Sequence, residues 1–430
     1  LVNGSTPAAG QGITGGIWIR QSARAIVSNN TVSNLTSAMG NTQSDQAAAV
    51  TGIVAFGYEN LNIAGNTVHN LHSTFTTGGL QVTGIVAFAS GANPAVVNRN
   101  FIHSFSLASQ NTGAHMNGIR IVRGLNLTVF NNIVHLTTES SLARTIYGIY
   151  DHGAQTGDVT RIYYNTVMIG GVAPAANQNN SYGLWSSSGT NNKDYQNNVF
   201  SNFRSNANAG ATGRHYSVYF TDAPAAGFIS DYNNLYASGT GAVTGRLPSG
   251  EYLTLFDWQT ATTRDANSLS VDPVFALPGG SDPADYIPSA AMPGLTGLGS
   301  INDDFGNDGV RTDPVTMGAW ENDCNLVITE QPADIIRCEN DNATFTVEAT
   351  GVGTPSYLWE FSTDNGVTWN VVPGQTPPGS NTLTIVAAAP GLYRCVITFT
   401  NDPDPPCVIV SDWAELTVNP RPTTSAIWHQ

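Results

Sequence analysis

The chain has 430 residues, a length that predicts two or three domains. Charged residues make up only 11% of the sequence and the net charge is −15, which excludes a nucleic-acid-binding protein with a basic surface stripe. The composition also excludes a coiled coil, and no apolar run is long enough to span a membrane. Because 41% of the residues are hydrophobic, we expect a folded protein with a sizeable core.

An internal repeat organises the N-terminal part of the chain. An asparagine followed by two mostly β-branched or aromatic residues recurs every 32 to 36 residues, and a run that begins with glycine keeps the same period. The repeat asparagines are Asn30, Asn66, Asn100, Asn132, Asn165, Asn198 and Asn234. The glycine-led runs begin at Gly16, Gly52, Gly84, Gly118, Gly148 and Gly183. Two sequence features that recur with the same period indicate a solenoid or a related repeat architecture.

The pattern inside each repeat favours one solenoid over the others. Each unit holds short runs with strand-like alternation, and helix signals are nearly absent. Three short strands per coil predict a right-handed parallel β-helix, in which each strand stacks about 4.8 Å from its counterpart. The leucine spacing of leucine-rich repeats is missing, and a propeller blade needs a period of about 40–50 residues.

The repeat asparagine has two expected roles in such a fold. Asparagine tolerates the left-handed backbone conformation that a sharp corner needs. Asparagine side chains stacked in register also hydrogen-bond to one another, as they do in cross-β structures. We therefore expect a structural asparagine ladder at one corner of the solenoid.

Residues 251–322 change character and carry a set of spaced motifs. The motifs are Trp258, Asp265-Ala266-Asn267-Ser268, Val271-Asp272-Pro273-Val274-Phe275, Asp304-Phe305-Gly306-Asn307-Asp308-Gly309-Val310-Arg311 and Met317-Gly318-Ala319-Trp320-Glu321. This stretch resembles the closing coils of secreted bacterial right-handed β-helix proteins, especially those of the Bacteroidetes. The resemblance covers residues 1–322 and implies a secreted or cell-surface protein. That family includes both polysaccharide-active enzymes and proteins with no known chemistry.

Residues 323–420 predict a second domain. About seven alternating strands in this stretch are typical of a β-sandwich. Trp359 stands where the core tryptophan of the third strand belongs, and Tyr393 lies two residues before Cys395, as in a tyrosine corner. The domain resembles the bacterial immunoglobulin-like repeats of adhesin-type surface proteins. Residues 421–430 are expected to be a linker or the start of a further repeat, in a protein that continues.

All four cysteines lie in the predicted sandwich, and four cysteines allow three pairings. The immunoglobulin topology implied by the resemblance favours disulfides Cys338–Cys395 and Cys324–Cys407. An even cysteine count in an exported β domain fits an oxidising compartment. A zinc site is the alternative, but the spacings contain no Cys-x-x-Cys pair.

One cluster of side chains offers the best candidate for catalysis. Enzymes built on β-helices commonly cleave acidic polysaccharides, for which a lyase needs a base and a cation and a hydrolase needs paired carboxylates. Asp151, His152 and Asp158 follow a glycine-led run, and Arg120 lies one coil earlier. The alternative is that these are ordinary polar residues at the mouths of loops.

A second acidic group surrounds Arg311. Asp303, Asp304, Asp308 and Asp313 form an oxygen-rich segment of the kind that binds Ca²⁺. The alternative is a structural arrangement in which Arg311 pairs with an acid. We expect no other cofactor.

Histidines and aromatic residues also recur with the repeat. His69, His103 and His135 each lie three residues after a repeat asparagine, so we expect them to stack on successive coils, as a metal-binding or pH-sensitive strip or as a polar outer ladder. Aromatic residues mark the glycine-led runs, where those on the outer face would form a platform for sugar rings and the others would pack. They are Trp18, Tyr147, Tyr150, Tyr182, Trp185, Tyr216 and Tyr219.

Two classes of function follow from these observations. The first is a non-enzymatic module of a large exported cell-surface or extracellular protein (an adhesin, stalk or fibre), whose rigid solenoid binds a glycan or copies of itself. The alternative is a polysaccharide lyase or glycoside hydrolase with an accessory immunoglobulin-like domain. The enzyme requires Asp151, His152, Asp158 and an arginine to converge on one groove. End-to-end association requires an uncapped first coil near Gly15–Ile19.

Overall fold

The chain forms two units, residues 1–288 with 292–322 and residues 289–291 with 323–430. The computed structural model describes residues 14–38, 50–109, 111, 113–138, 145–153, 157–173, 179–187, 191–208, 210–306, 311, 315–321, 327–351, 353–363, 366, 368–375, 379–386, 389–400 and 407–421. Within these ranges, no helix has both the length and the apolar character that a membrane crossing requires.

The first unit is a parallel β-solenoid, which confirms the predicted fold, and its coils place strands at three positions. The glycine-led runs lie in the first-position strands β1 (Thr14–Ser28), β3 (Val50–Ala64), β5 (Gln81–Ala89), β8 (His115–Gly124), β11 (Thr145–Asp151) and β14 (Ser181–Ser186). The same sheet continues with the first-position strands β18 (His215–Phe220) and β21 (Ala242–Leu247). The strands after the repeat asparagines are β2 (Thr31–Ser37), β4 (Thr67–Ser73), β7 (Phe101–Leu107), β10 (Ile133–Thr138), β13 (Thr166–Ala173), β16 (Val199–Asn202) and β20 (Asn234–Ala237). The middle strands are β6 (Ala95–Asn98), β9 (Leu127–Phe130), β12 (Val159–Tyr163), β15 (Asn192–Gln196) and β19 (Ile229–Asp231).

Few elements of the first unit depart from this pattern. The second halves of β1 and β3 take the middle position in the first two described coils. Strand β17 (Ser205–Asn206) extends the pairing of β13, and β22 (Gly250–Tyr252) forms an antiparallel hairpin with β21. The helical elements are α1 (Leu255–Thr262) and the short 3-10 turns Pro283–Tyr286 and Leu298–Ser300. Among the described residues β1 pairs with β3, and end-to-end association through its other edge stays a prediction.

Glycine begins the repeat because neighbouring coils approach closely there. A Cβ atom on Gly52 would lie 2.6 Å from the carbonyl oxygen of Gly84, and one on Gly84 would lie 2.7 Å from that of Gly118. The residue after each glycine points into the solenoid, and together these residues form a buried column. The column contains Ile53, Ile85, Ile119, Ile149, Leu184 and Val218. Burial of each such side chain stabilises the fold by about 1.5–3 kcal/mol relative to exposure.

The asparagine ladder is present in the structure. The side-chain nitrogen of each ladder asparagine donates to the side-chain oxygen of the next, at 2.8 Å between Asn100 and Asn132 and 2.9 Å between Asn132 and Asn165. The same oxygen also accepts the backbone N–H of the preceding asparagine, at 3.1 Å for Asn100. The contacts continue through Asn30, Asn66, Asn100, Asn132, Asn165 and Asn198.

The last predicted member of the ladder was wrong by one residue. Asn198 donates to Asn233 at 3.0 Å, whereas Asn234 pairs in register with Val199 and donates to the carbonyl oxygen of Val271. Two adjacent asparagines occupy this coil, and only Asn234 is followed by the two apolar residues of the repeat pattern, Leu235 and Tyr236. Only Asn233 continues the buried hydrogen-bond chain.

The predicted left-handed conformation of the repeat asparagine was also wrong. The residue before each ladder asparagine, rather than the asparagine itself, has a positive φ. These corner residues are Asn29, Gly65, Arg99, Asn131, Tyr164, Asn197 and Tyr232. The corner therefore accepts arginine and tyrosine as well as asparagine and glycine, because the neighbouring coils fix its backbone. The sequence signal at the repeat asparagine comes from its side-chain hydrogen bonds.

Helix α1 covers the end of the solenoid core. Trp258 on this helix is buried and packs against Gly245 of the last first-position strand, where a Cβ atom would clash with the indole ring. Its indole N–H donates to the buried Asp265 at 2.8 Å, and Asp265 also accepts from the hydroxyls of Ser230 and Ser268. Burial raises the pKa of Asp265.

The chain after α1 runs back along the corner of the solenoid. The carbonyl oxygen of Leu295 accepts from the Asn197 side chain at 2.8 Å, and that of Asp303 accepts from the Asn131 side chain at 2.8 Å. Further along, the Asp303 carboxylate pairs with Arg99 at 2.6 Å. The corner side chains of several coils thus hold this closing segment.

The second unit is an immunoglobulin-like β-sandwich, as predicted. Its strands are β23 (Val327–Glu330), β24 (Ile335–Cys338), β25 (Ala343–Thr346), β26 (Glu348–Thr350), β27 (Thr354–Ser362), β28 (Asn370–Val371), β29 (Thr382–Ile385), β30 (Gly391–Thr400), β31 (Cys407–Val410) and β32 (Ala414–Asn419). Trp359 is buried at its centre with Phe345 and Tyr393. The Tyr393 hydroxyl donates to the carbonyl oxygen of Ala389 at 3.0 Å, which is the contact that defines a tyrosine corner.

The predicted disulfide Cys338–Cys395 does not form in this fold. Both thiols are free, with Cys338 exposed and Cys395 buried. Strand β32 lies between the strands that carry them, and Cys338 pairs with Asn419, far along β32 from the level of Cys395. The offset of several residues corresponds to roughly 20 Å, well beyond the reach of a disulfide. Of the second predicted pair, Cys324 and the Cys407 side chain lie outside the described residues.

Candidate functional site

The structure does not bring the four candidate catalytic side chains together. Asp151 and Asp158 are buried, because alternation along the coil turns them inward, whereas His152 next to Asp151 is exposed. Asp158 contacts Arg123 at 3.4 Å, and Arg120 lies on the outer face and donates to the Gln81 side chain at 3.2 Å. The convergence that a lyase or hydrolase requires is therefore absent from this group of side chains.

The outer face of the first-position sheet carries instead a group of aromatic rings, which we call the aromatic strip. Three successive strands, β11, β14 and β18, each contribute two outward residues in register. The strip consists of Tyr147, Tyr150, Tyr182, Trp185, Tyr216 and Tyr219. Between them, Ile149, Leu184 and Val218 point into the core.

The strip has two columns with different ring geometry. In the first, the rings of Tyr147, Tyr182 and Tyr216 stack along the solenoid with centroids 4.9 and 5.3 Å apart. In the second, the rings of Trp185 and Tyr219 are nearly parallel to each other and nearly perpendicular to the stacked tyrosines. Each contact of this kind adds about 0.5–1.5 kcal/mol beyond area burial, so the rings hold one another in place.

The rings of the strip also differ in exposure, and this division does not follow the two columns. Tyr182 and Tyr216 are buried, so these two rings belong to the group that was expected to pack rather than to bind sugar. Tyr147, Tyr150, Trp185 and Tyr219 keep part of their surface open to solvent. A rigid row of half-exposed rings on three successive coils is therefore available for a ligand.

Arginines extend the second column at both ends. Strand register places Arg120 one coil before Tyr150 and Arg246 one coil after Tyr219. The guanidinium carbons lie 5.5 Å from the centroid of the Tyr150 ring and 4.8 Å from that of Tyr219, within cation–π distance. Arg246 also donates to the Tyr219 hydroxyl at 2.8 Å. The strip thus ends in an arginine on each side, of which Arg120 is only 7% exposed.

The hydroxyls of Tyr147, Tyr150 and Tyr182 stay protonated at ordinary pH. Burial raises the pKa of Tyr182 to about 12 and also raises the pKa values of Tyr147 and Tyr150. They are hydrogen-bond donors and acceptors rather than phenolates. Among the exposed neighbours, the His152 ring lies 6.4 Å from the Trp185 ring. Of the candidate catalytic residues, Arg120 and His152 therefore belong to the surroundings of the strip.

The predicted histidine ladder is also present. His69, His103 and His135 pair in register on three coils, and the rings of His69 and His103 stack with centroids 5.0 Å apart. His135 is buried beside Tyr286, and neither of its ring nitrogens has a hydrogen-bond partner among the described residues. Within the same ranges, no three His, Cys, Asp or Glu side chains are placed to hold a metal ion.

Acid is expected to destabilise the solenoid through His135. Burial lowers the pKa of His135 from 6.5 to about 4. Between these two pH values this histidine is protonated in the unfolded chain and neutral in the folded chain. The free energy of unfolding should therefore fall between about pH 6.5 and 4, by up to about 1.4 kcal/mol per pH unit for this residue. Urea unfolding at several pH values measures the slope. His135→Phe should make the free energy of unfolding depend less steeply on pH. An unchanged slope would contradict the assignment of this pH dependence to His135.

The acidic segment near Arg311 is held by protein contacts. Asp303 pairs with Arg99 at 2.6 Å, and the Asp304 carboxylate accepts two backbone N–H groups at 2.9 and 3.1 Å. Asp308 and Asp313 lie outside the described residues. Arg311 is buried and pairs with Glu321 at 3.0 Å, so the arrangement in which this arginine pairs with an acid is observed.

Sequence reasoning missed a buried charged group. Lys193 is the single lysine of the chain, and the structure places it inside the solenoid against Asp151 and Tyr195. Alternation along β15 was the available signal, because Lys193 and Tyr195 are two residues apart and so share a face. Arg246 was missed as well, since the last coil lacks the glycine-led motif that marks the others.

Comparisons with known proteins do not assign a family. No family model matches the chain, and no curated protein does. Solved structures of immunoglobulin domains match part of it: tandem Ig repeats of Dlar at 23% identity, covering 23% of this chain and 51% of that one, with a TM-score of 0.18. Sidekick-1 immunoglobulin domains 1-5 match at 21% identity, covering 25% and 22% of the two chains, with a TM-score of 0.18. The chain thus spans about half of the Dlar structure, and scores this low carry no argument about function.

Proposed function

We propose that the solenoid is a non-enzymatic glycan-binding module of an exported cell-surface or extracellular protein, and that the aromatic strip is its binding surface. The observation that carries the proposal is the row of half-exposed rings, Tyr150, Trp185 and Tyr219, on three successive coils. Aromatic faces and edges pack well against the apolar faces of sugar rings, and tyrosine hydroxyls and arginines bond to sugar oxygens. A surface that repeats about every 4.8 Å suits an extended polymer.

The charges around the strip favour one kind of glycan. Arg120 and Arg246 stand at its two ends, although the whole chain carries a net charge of −15. Local positive charge on an acidic protein favours a chain with spaced carboxylate or sulfate groups over a uniformly anionic polymer. The immunoglobulin-like unit then serves as a spacer in the larger protein, and Ca²⁺ is a possible bridge to anionic sugars.

A glycan array tests the proposal on the whole chain. Neutral and acidic polysaccharides are screened with Ca²⁺ and with EDTA, and the affinity for the best ligand is measured. Trp185→Ala should weaken binding about tenfold or more, which corresponds to about 1.4 kcal/mol for one central aromatic contact. Trp413→Ala is the matched control, because this tryptophan is 56% exposed on the other unit.

Three outcomes would overturn the proposal. The first is an array on which no glycan binds, and the second is a Trp185→Ala variant that is folded and binds as well as the parent chain. The third is the appearance of new reducing or unsaturated sugar ends during incubation, which would favour the lyase or hydrolase. Circular dichroism of each variant shows whether a lost affinity reflects a lost fold.

A further inference from the structure

The chain's single lysine lies in an unusual place. Lys193 on β15 is only 3% exposed, although lysine is almost never fully buried unless it is paired. Its Nζ atom lies 2.6 Å from Oδ2 of Asp151, which ends β11 one coil earlier and is completely buried. The other recorded contact of Nζ is the carbonyl oxygen of Ser187 at 3.1 Å. One amine and one carboxyl group from different coils are thus in direct contact in the core.

The remaining contacts of the group converge on the same carboxyl. The Tyr195 hydroxyl donates to Oδ2 of Asp151 at 2.6 Å, and the backbone N–H of Gly153 donates to Oδ1 at 3.1 Å. Burial raises the pKa of Tyr195 well above its usual value, so the phenol keeps its proton and remains a donor. Both carboxyl oxygens therefore carry a hydrogen bond that polarises the carbon between them.

Amide formation between the pair requires the neutral amine and the carboxylic acid. Ile149 and Leu184 from the same coils line the core beside it, and two charges in such a medium lose their hydration. Transfer of one proton from the ammonium to the carboxylate gives an amine and a carboxylic acid with no net change in charge. The fold holds these two groups in contact, which raises their effective concentration by many orders of magnitude over that in solution.

We propose that Lys193 and Asp151 are the site of an intramolecular amide cross-link that forms after folding. The lysine nitrogen attacks Cγ of Asp151, the C–N bond forms, and the C–O bond to the protonated oxygen breaks. That oxygen leaves as water with one proton from the amine, so the products are an amide and one water molecule. No oxidant, nucleotide or metal is needed. The hydrogen bonds from Tyr195 and Gly153 stabilise the charge that develops on the carboxyl oxygens.

The cross-link would fasten one coil to the next. The two residues are 42 positions apart in sequence, and the amide would close this stretch into a loop. A covalent loop restricts the unfolded chain in the way a disulfide does. An amide has the further property that reducing agents do not break it, which distinguishes this site from the free thiols of the other unit.

Intact-mass spectrometry of the purified, denatured full chain tests the proposal. The expected mass is lower than the sequence mass by one water molecule, and a tryptic digest should contain one linked pair of peptides joined at Lys193 and Asp151. An amine-reactive label should leave the denatured chain without a modified lysine. Because there is no second lysine, the linked peptide pair and the missing lysine label report on this site alone.

Two variants make the test specific. Lys193→Met should restore the full sequence mass, and Asp151→Asn should lose one ammonia instead of one water, because the amide nitrogen is then the leaving group. A wild-type chain with the full sequence mass and a freely labelled Lys193 would overturn the proposal, whether or not the variants fold. A water loss that persists in Lys193→Met, or that maps to another pair of residues, would overturn it as well.

Discussion

Replacing Asn132 with alanine is expected to lower the free energy of unfolding of the solenoid by about 2–4 kcal/mol. Asn132 is completely buried in the middle of the asparagine ladder. Its oxygen accepts both the backbone N–H and the side-chain amide of Asn100, and its own amide donates to Asn165 and to the carbonyl oxygen of Val97. Alanine removes these bonds together and takes away the acceptor of the buried Asn100 backbone N–H, whose loss costs more than the net gain of an ordinary hydrogen bond.

An exposed asparagine pair provides the control for this prediction. The Asn70 side chain donates to the Asn34 side chain across the same one-coil spacing, at 3.1 Å, but in contact with solvent. Because Asn70 has a φ of 53°, glycine is the substitution that its backbone accepts without strain. Asn70→Gly should change the free energy of unfolding by less than about 1 kcal/mol. Urea unfolding followed by circular dichroism compares the two, and equal effects would contradict the role given to the buried ladder.

Replacing Arg311 with alanine is expected to cost about 3–5 kcal/mol, because it removes one partner of a buried ion pair. The Arg311 guanidinium donates to Glu321 at 3.0 Å and to the Asn131 side chain at 2.8 Å, and it lies 4.0 Å from the centroid of the Tyr164 ring. Further bonds go to backbone carbonyl oxygens, including that of Asp303 at 3.0 Å. This one side chain therefore fastens the closing segment to two coils.

A surface arginine provides the control for the stability loss expected in Arg311→Ala. Arg214 also pairs with a glutamate, Glu251, at 3.2 Å, but its side chain is 48% exposed. Arg214→Ala should cost less than about 1 kcal/mol, because a solvated pair contributes little. Arg311→Lys should recover only part of the lost stability, since lysine lacks the planar fork that reaches several acceptors. Calorimetry of the parent chain and the three variants measures the order of their stabilities. A small loss of stability in Arg311→Ala would contradict the anchoring role of Arg311.

The fold was predictable because the repeat imposes the same demand on every coil. A buried amide at the ladder and a missing Cβ atom at Gly52 or Gly84 are requirements of coil stacking, so they recur in the sequence. The corner position before each ladder asparagine has no recurring residue type in the sequence, because any residue whose backbone the neighbouring coils hold in place fits there. The one-residue error at Asn234 arose because the second of two adjacent asparagines matches the repeat pattern, whereas strand register and the hydrogen bond from Asn198 select the first.

The candidate site was only partly predictable. The sequence pattern located the aromatic residues in the glycine-led runs. How much of each ring is exposed to solvent depends on how the rings stack on one another, and this cannot be read from any single residue. Alternation also argued against grouping Asp151 with His152, since neighbours in a strand face opposite ways. The pairing of Cys338 with Cys395 failed for a different reason, because it relied on a topology while the distance is set by strand register.

Hydroxyl-radical footprinting of the full chain, with and without its best glycan, is the most direct test of the central claim that the aromatic strip binds sugar. Oxidation of Trp185, Tyr150 and Tyr219 is measured by mass spectrometry, with Trp413 of the other unit as the internal reference. The account predicts that the glycan protects the strip residues several-fold and leaves Trp413 unchanged. Equal oxidation of the strip in both samples, or protection confined to Trp413, would contradict it.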